Sequence, residues 1–179
     1  TVTVGRQPNT TGNLVLSATS GTLTYPTTKT FTVKTNVSGG ALSVTSSNEA
    51  VAKATISGTT VTITPHVLTT DGQKATITVK SAAKGNYGEQ TATYTATVNR
   101  GTIQITAEVY TGNYDGNSHD AIKSVTTTPD GTTIEYALGD GEYSSTVPQV
   151  TGANTYTVSI KASKAGYATK TITETVTVG

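Results

Sequence analysis

Two histidines, an oxygen-rich loop and a group of tyrosines are the places where this 179-residue chain could carry chemistry. Nucleophilic catalysis needs a hydroxyl or thiol activated by a neighbouring base. Cysteine is absent, and the only histidines are His66 and His119. His66 follows Pro65 at the end of an alternating apolar run, and His119 lies in the loop from Gly112 to Asp120. Neither stands in a Gly-x-Ser-x-Gly elbow or a His-Glu-x-x-His pair, so both read as solvated loop residues and no catalytic residue is assigned.

The densest set of oxygen ligands is Asn113, Asp115, Asn117 and Asp120. A twelve-residue calcium loop starting at Asn113 would need Gly where Ser118 stands and a bidentate Glu where Ser124 stands. The pattern therefore reads as an Asx turn or hairpin, with no metal and no cofactor expected. Sugar recognition would use exposed aromatic rings beside acids or amides, and Tyr110, Tyr114, Tyr136 and Tyr143 supply the rings. Tyr136 shares core parity with Ile134 and Leu138, which leaves Tyr114, Asp115, His119, Asp140, Glu142 and Tyr143 as candidate ligand-binding residues.

The elements that must position these residues are strands. Threonine occupies 43 of 179 positions, and with Val and Ile it suits a pleated, half-buried surface. Apolar residues alternate with Thr, Ser or Lys at Leu14, Leu16 and Ala18, at Phe31 and Val33, and at Leu42 and Val44. The same alternation recurs at Val61 and Ile63, at Ala75, Ile77 and Val79, and from Ala92 to Val98, with a less regular segment at 51–56. Further along come Ile103 to Val109, Ile134 to Leu138, Tyr156 to Ile160 and Ile172 to Val178, with a weaker run at 121–126. Period-two alternation places successive side chains on opposite faces of a sheet. It predicts burial of Phe31, Val33, Ile77 and Val79 in one core, and of Ile134, Tyr136, Val158 and Ile160 in another. Gly-containing turns at 38–40, 57–58, 71–72, 115–116, 130–131 and 139–141 separate the runs, as in antiparallel sandwiches.

Self-similarity sets the number of modules. Lys84, Tyr87, Thr91, Thr93, Thr95, Thr97 and Val98 recur 80 residues later as Lys164, Tyr167, Thr171, Thr173, Thr175, Thr177 and Val178. Thr3-Val4-Gly5-Arg6 resembles Thr97-Val98-Asn99-Arg100, and Thr177-Val178-Gly179 falls within the same motif. Residues 1–99 therefore form module one, with 1–5 read as the end of a preceding module, and 100–179 form module two. About four residues, Asn99 to Thr102, join them, which predicts a short rod with limited bending and an array of like modules as neighbours.

Net charge is +1 with no long run of one sign, so neither nucleic acid nor an anionic membrane surface is an expected partner. No apolar stretch approaches the roughly 18 residues of a membrane span, and membrane insertion is not expected. The N-terminus lacks a basic, signal-like segment, and the absence of Met even at position 1 marks a processed or excised piece.

Module one, through LSVTSSNEAVAKATISGTTVTI and ATITVKSA, resembles the bacterial immunoglobulin-like group 2 family across residues 14–98, with Ser46-Ser47-Asn48 and Val51-Ala52 as the best local mark. Module two is similar to a related bacterial surface repeat through VYTGNYDGNSHDAI, the turn at Gly139–Gly141 and ANTYTVSIKASKAGY. Asn154 stands where that repeat usually has Gly, and a left-handed Asn would preserve the turn. The resemblance implies two tandem immunoglobulin-like antiparallel β-sandwiches, extracellular or cell-surface, acting as spacer or stalk modules and not as an enzyme. Glycan or host-protein binding and phage virion decoration are the alternatives it leaves open. Some surface modules of this kind join Lys to Asn in an isopeptide bond between first and last strands. Residues 14–18 and 103–109 hold no Lys, and 91–98 and 171–178 hold no Asn, so no such bond is expected. Glu174, at the place of Tyr94, reads as an edge carboxylate or one paired with a Lys.

Overall fold

A computed structural model describes residues 1–3, 5 and 14–179. Val4 and Arg6 of the first expected junction copy lie outside the described residues. The chain is all-β and divides into two compact units, Thr1–Gly101 and Thr102–Gly179. Arg100 and Gly101 thus go with the first unit.

In the first unit the strands are β1 (Leu14–Leu16), β2 (Ser20–Thr24), β3 (Lys29–Asn36), β4 (Leu42–Ser46), β5 (Ala52–Ser57), β6 (Thr60–Pro65), β7 (Gln73–Ser81) and β8 (Gln90–Asn99). They form two four-stranded sheets, β1-β3-β6-β5 and β2-β8-β7-β4. This is the strand order of an immunoglobulin-like sandwich, with the first strand divided between the sheets. Alternation fills the core as expected: Phe31, Val33, Ile77 and Val79 are all buried, and Phe31 stacks on Tyr94 with ring centroids 4.5 Å apart. Gly58 has φ 58° in the two-residue β5–β6 hairpin, a conformation that hairpin turns require and side chains resist.

Two expectations are corrected here. Ala18 is exposed and lies between strands, because the chain leaves β1 and crosses to the other sheet. Ser17 N donates to Thr32 O, whereas Thr19 O accepts from Thr95 N, so the crossing falls between these residues. Leu23, on the unexpected strand β2, enters the core at 3% exposure.

The second unit contains β9 (Gln104–Val109), β10 (Thr111–Gly112), β11 (His119–Asp120), β12 (Ile122–Thr128), β13 (Thr133–Leu138), β14 (Gln149–Val150), β15 (Asn154–Ser163) and β16 (Lys170–Val178). One sheet has the order β10-β16-β15-β13, and the other strands of the unit among the described residues form the pairs β12-β9 and β11-β14. Val158 and Ile160 are buried as expected, but Ile134 and Tyr136 are half-buried and Leu138 is exposed. These three lie on β13, the edge strand, and Leu138 is its last residue, so the core covers them only in part. Asn154 is not left-handed: every described residue with positive φ is a glycine. It begins β15, and its Oδ1 accepts from Thr155 N at 2.8 Å. Glu174 sits half-buried opposite Val158, and among the described residues no cation pairs with it.

Candidate functional site

The candidate residues fall in two places, one after β10 and on β11, the other in the turn after β13, and β10 and β13 are the two edges of the β10-β16-β15-β13 sheet. At the first edge β10 pairs in parallel with β16, through Thr111 with Thr177 and Gly112 with Val178. The loop that follows is tied back by Tyr114 N donating to Gly179 O, and the Tyr114 ring is 57% exposed. Asp115 Oδ1 accepts from Asn117 N at 2.9 Å, an Asx turn, and from His119 Nε2 at 3.0 Å. The His119 hydrogen bond, with the Asn117 amide next, holds the Asp115 carboxyl down at about 2. His119 is in turn stacked on Tyr110 with centroids 4.4 Å apart and 15° between the rings. Tyr110 is possible there because Gly112 has no Cβ, which would overlap the phenol oxygen.

The four oxygen-bearing residues of this loop do not converge. Asp120 Oδ1 accepts from Gln149 Nε2, and Gln149 Oε1 accepts from Ser118 Oγ at 3.0 Å, while Asp115 turns toward His119. The Asn113 amide oxygen instead lies against Gly179.

At the opposite edge, β13 ends in a turn in which Gly139, with φ 54°, donates to Thr157 O, and Gly141 N returns to Leu138 O. The chain then runs beside β13, where Tyr136 and Ser144 exchange backbone bonds of 2.7 and 2.9 Å. Tyr143 is 38% exposed, and Lys161 Nζ stands 4.3 Å from its ring centroid while also pairing with Glu135 at 2.9 Å. Asp140 and Glu142 are exposed beside it. Two strands separate β10 from β13, so at about 4.8 Å per strand spacing the edges are about 14 Å apart. The structure therefore groups Tyr114, Asp115 and His119 in one place and Asp140, Glu142 and Tyr143 in another, and does not bring Tyr114 and Tyr143 together.

Sequence reasoning missed Lys161 and Glu135. They are direct cross-strand partners, so setting the β13–β15 register would have revealed an opposite-charge pair. It also missed Asp71, whose carboxylate receives Arg100 N at 2.7 Å, Nε at 3.2 Å and a terminal guanidinium nitrogen at 2.9 Å. That hydrogen bonding lowers the Asp71 pKa and raises that of Arg100. His66 is exposed, and its ring Nδ1 lies 3.4 Å from Val67 O. Among the described residues no helix is long and apolar enough to cross a membrane.

No family model and no curated protein matches the chain. Among solved structures, it is similar to a chimeric titin Z1Z2 functionalized with a KLER exogenous peptide from decorin. That match has 14% identity and a TM-score of 0.35, and covers 92% of this chain and 96% of the other. A second similar structure is Drosophila N-cadherin EC1-4, at 13% identity and TM-score 0.38, covering 90% of this chain and 47% of that one. The immunoglobulin-like assignment rests on the strand order of the chain itself.

Proposed function

We propose that this chain is a non-catalytic, load-bearing spacer of a modular extracellular or cell-surface protein, of the bacterial immunoglobulin-like kind its sequence resembles. Neighbouring modules of the same protein are its proposed partners. One observation carries the reading. In both units a strand near the start runs parallel to the last strand, β2 beside β8 and β10 beside β16. Tension applied at the two ends of such a unit pulls these strands in opposite directions along their length. Their hydrogen bonds are then loaded together in shear, not opened one after another. Arg100 supports the same reading, because its three bonds to Asp71 tie the residue after β8 to the body of its unit.

The test is to stretch the two-module chain between handles in a single-molecule instrument. Two unfolding steps are expected, with the second unit failing first, since β10 and β16 share two register pairs where β2 and β8 share five. Yielding of both units at the low force of an unzipping hairpin would sink the spacer reading.

The second reading is a binding module for a glycan or host protein, favoured by the exposed Tyr143 with Lys161, Asp140 and Glu142 around it. Screening the chain on a glycan array, with Tyr143→Ala as control, tests it; a Tyr143-dependent signal would put binding ahead of spacing.

A further inference from the structure

The two units differ at one strand edge. β3 and β12 are equivalent, each pairing on one side with the opening strand of its unit, β1 or β9. The other side of β3 is filled by β6, which sets Thr62 against Thr30, Val61 against Phe31 and Thr60 against Thr32, with β5 beyond it. The other side of β12 has no strand among the described residues, and its backbone hydrogen bonds go to β9 alone. What corresponds to β6 is the two-residue β14, which pairs with His119 and Asp120 before β12 begins.

Ser124 to Thr128 is therefore an open edge. Proteins usually blunt such edges with Lys, Pro or a bulge, because unpaired amides and carbonyls invite another strand. On β12 these devices stand only at its two ends, Lys123 and a register irregularity before Ser124 and Pro129 after Thr128, and the Ser-Val-Thr-Thr-Thr between them carries neither charge nor Pro. Val125 and Thr127 are half-buried, while Ser124, Thr126 and Thr128 are exposed. The core behind it is unfinished to match: ten apolar residues, among them Val125, Ile134 and Tyr136, are only partly buried there, against five in the first unit.

We propose that the Ser124–Thr128 edge accepts an extended segment of another polypeptide, which adds as a strand antiparallel to β12. The first unit shows the chemistry of that segment. There the place is taken by Thr60-Val61-Thr62-Ile63-Thr64-Pro65, whose Val61 and Ile63 are completely buried and whose threonines face away from the core. Past Lys123 at the start of β12, the Ser124–Thr128 edge carries no charge to neutralise a Lys or Glu set against it. The occupant is thus an uncharged segment in which β-branched aliphatics alternate with Thr or Ser, recognised by main-chain bonds and by two apolar side chains.

A capped peptide with the sequence of residues 59–65 is the probe, titrated into the full isotope-labelled chain and followed by amide NMR. Saturable shifts and slowed hydrogen exchange are expected at Ser124–Thr128, with shifts at Ile134, Tyr136 and Val147. Thr126→Lys, which puts a charge on the exposed face of the edge, should weaken binding several-fold without altering the rest of the spectrum. A scrambled peptide should leave β12 unmoved. No saturable change at β12, an equal response to the scrambled peptide, or undiminished binding by the Thr126→Lys chain would overturn the proposal. Concentration-dependent shifts at the same residues without peptide would replace its occupant with a second copy of the chain. None of these outcomes bears on the stretching experiment, which loads β10 and β16.

Discussion

The first unit completes its sandwich and the second leaves part of it unbuilt. The difference lies in one strand: β6 is six residues long and pairs with β3 over four of them, whereas β14 is two residues long and pairs with β11. The first unit buries Val61 and Ile63 as a result, whereas the edge strands of the two units are alike, with Leu42 and Val44 on β4 and Ile134 and Tyr136 on β13 all half-buried. A sandwich keeps its identity through the sheet that holds its last strands, here β8-β7 and β16-β15, which are long and fully paired in both units. The strand opposite can shrink without loss of the fold, at the cost of a less closed core.

The largest test of this contrast is cavity formation. Ile63→Ala should destabilise the first unit by about 2–5 kcal/mol, as deletion of a fully buried Ile does. The half-buried Ile134→Ala should cost the second unit clearly less. Calorimetry of the two transitions checks this, and equal losses would show that Ile134 is as fully enclosed as Ile63.

A glycine pair sharpens the comparison. A Cβ at Gly40 would meet the Ala82 carbonyl, which is backbone, whereas one at Gly112 would meet the Tyr110 side chain. Gly40→Ala is expected to cost about 1–3 kcal/mol of overpacking, and Gly112→Ala less, because a side chain at the sheet edge can swing away. Denaturant titration of each variant measures both, and a larger loss for Gly112→Ala would reverse the order.

Equivalent positions on the last strands give a smaller effect. Tyr94 is 1% exposed, its hydroxyl has no hydrogen-bond partner among the described residues, and burial raises its pKa. Tyr94→Phe removes that orphaned group and should stabilise the first unit by about 1 kcal/mol. Melting of the variant checks it, and a loss of stability would mean that the hydroxyl is satisfied by water. The counterpart Glu174→Val should raise the melting temperature of the second unit, since the carboxylate stands opposite Val158 and beside Val176.

The smallest effect is electrostatic. Asp115 is depressed from 3.8 to about 2, so its folded-state bond to His119 stabilises the loop fully above the unfolded value and loses that contribution as pH falls through about 2. Amide shifts of Asn117 and His119 should report that midpoint, and Asp115→Asn should abolish it. A midpoint near 3.8 would remove the hydrogen bond from the account.

Period-two alternation, the turn glycines and the Lys84/Lys164 repeat were enough to read off an all-β chain and most of its longer strands, though not β2, because side-chain facing and turn geometry depend on residues close together in sequence. The sites were less legible. Asp115, Asn117 and His119 are near neighbours, and their loop could be singled out, but its stacking on Tyr110 could not. Only the tertiary structure divided β1 from β2, paired Lys161 with Glu135, bound Arg100 to Asp71 and left the β12 edge open. Each of these depends on groups far apart along the chain, whose meeting is set by strand register and by which flank a strand covers. Local alternation is the same for a covered strand and an uncovered one, so β3 and β12 look alike until their neighbours are in place.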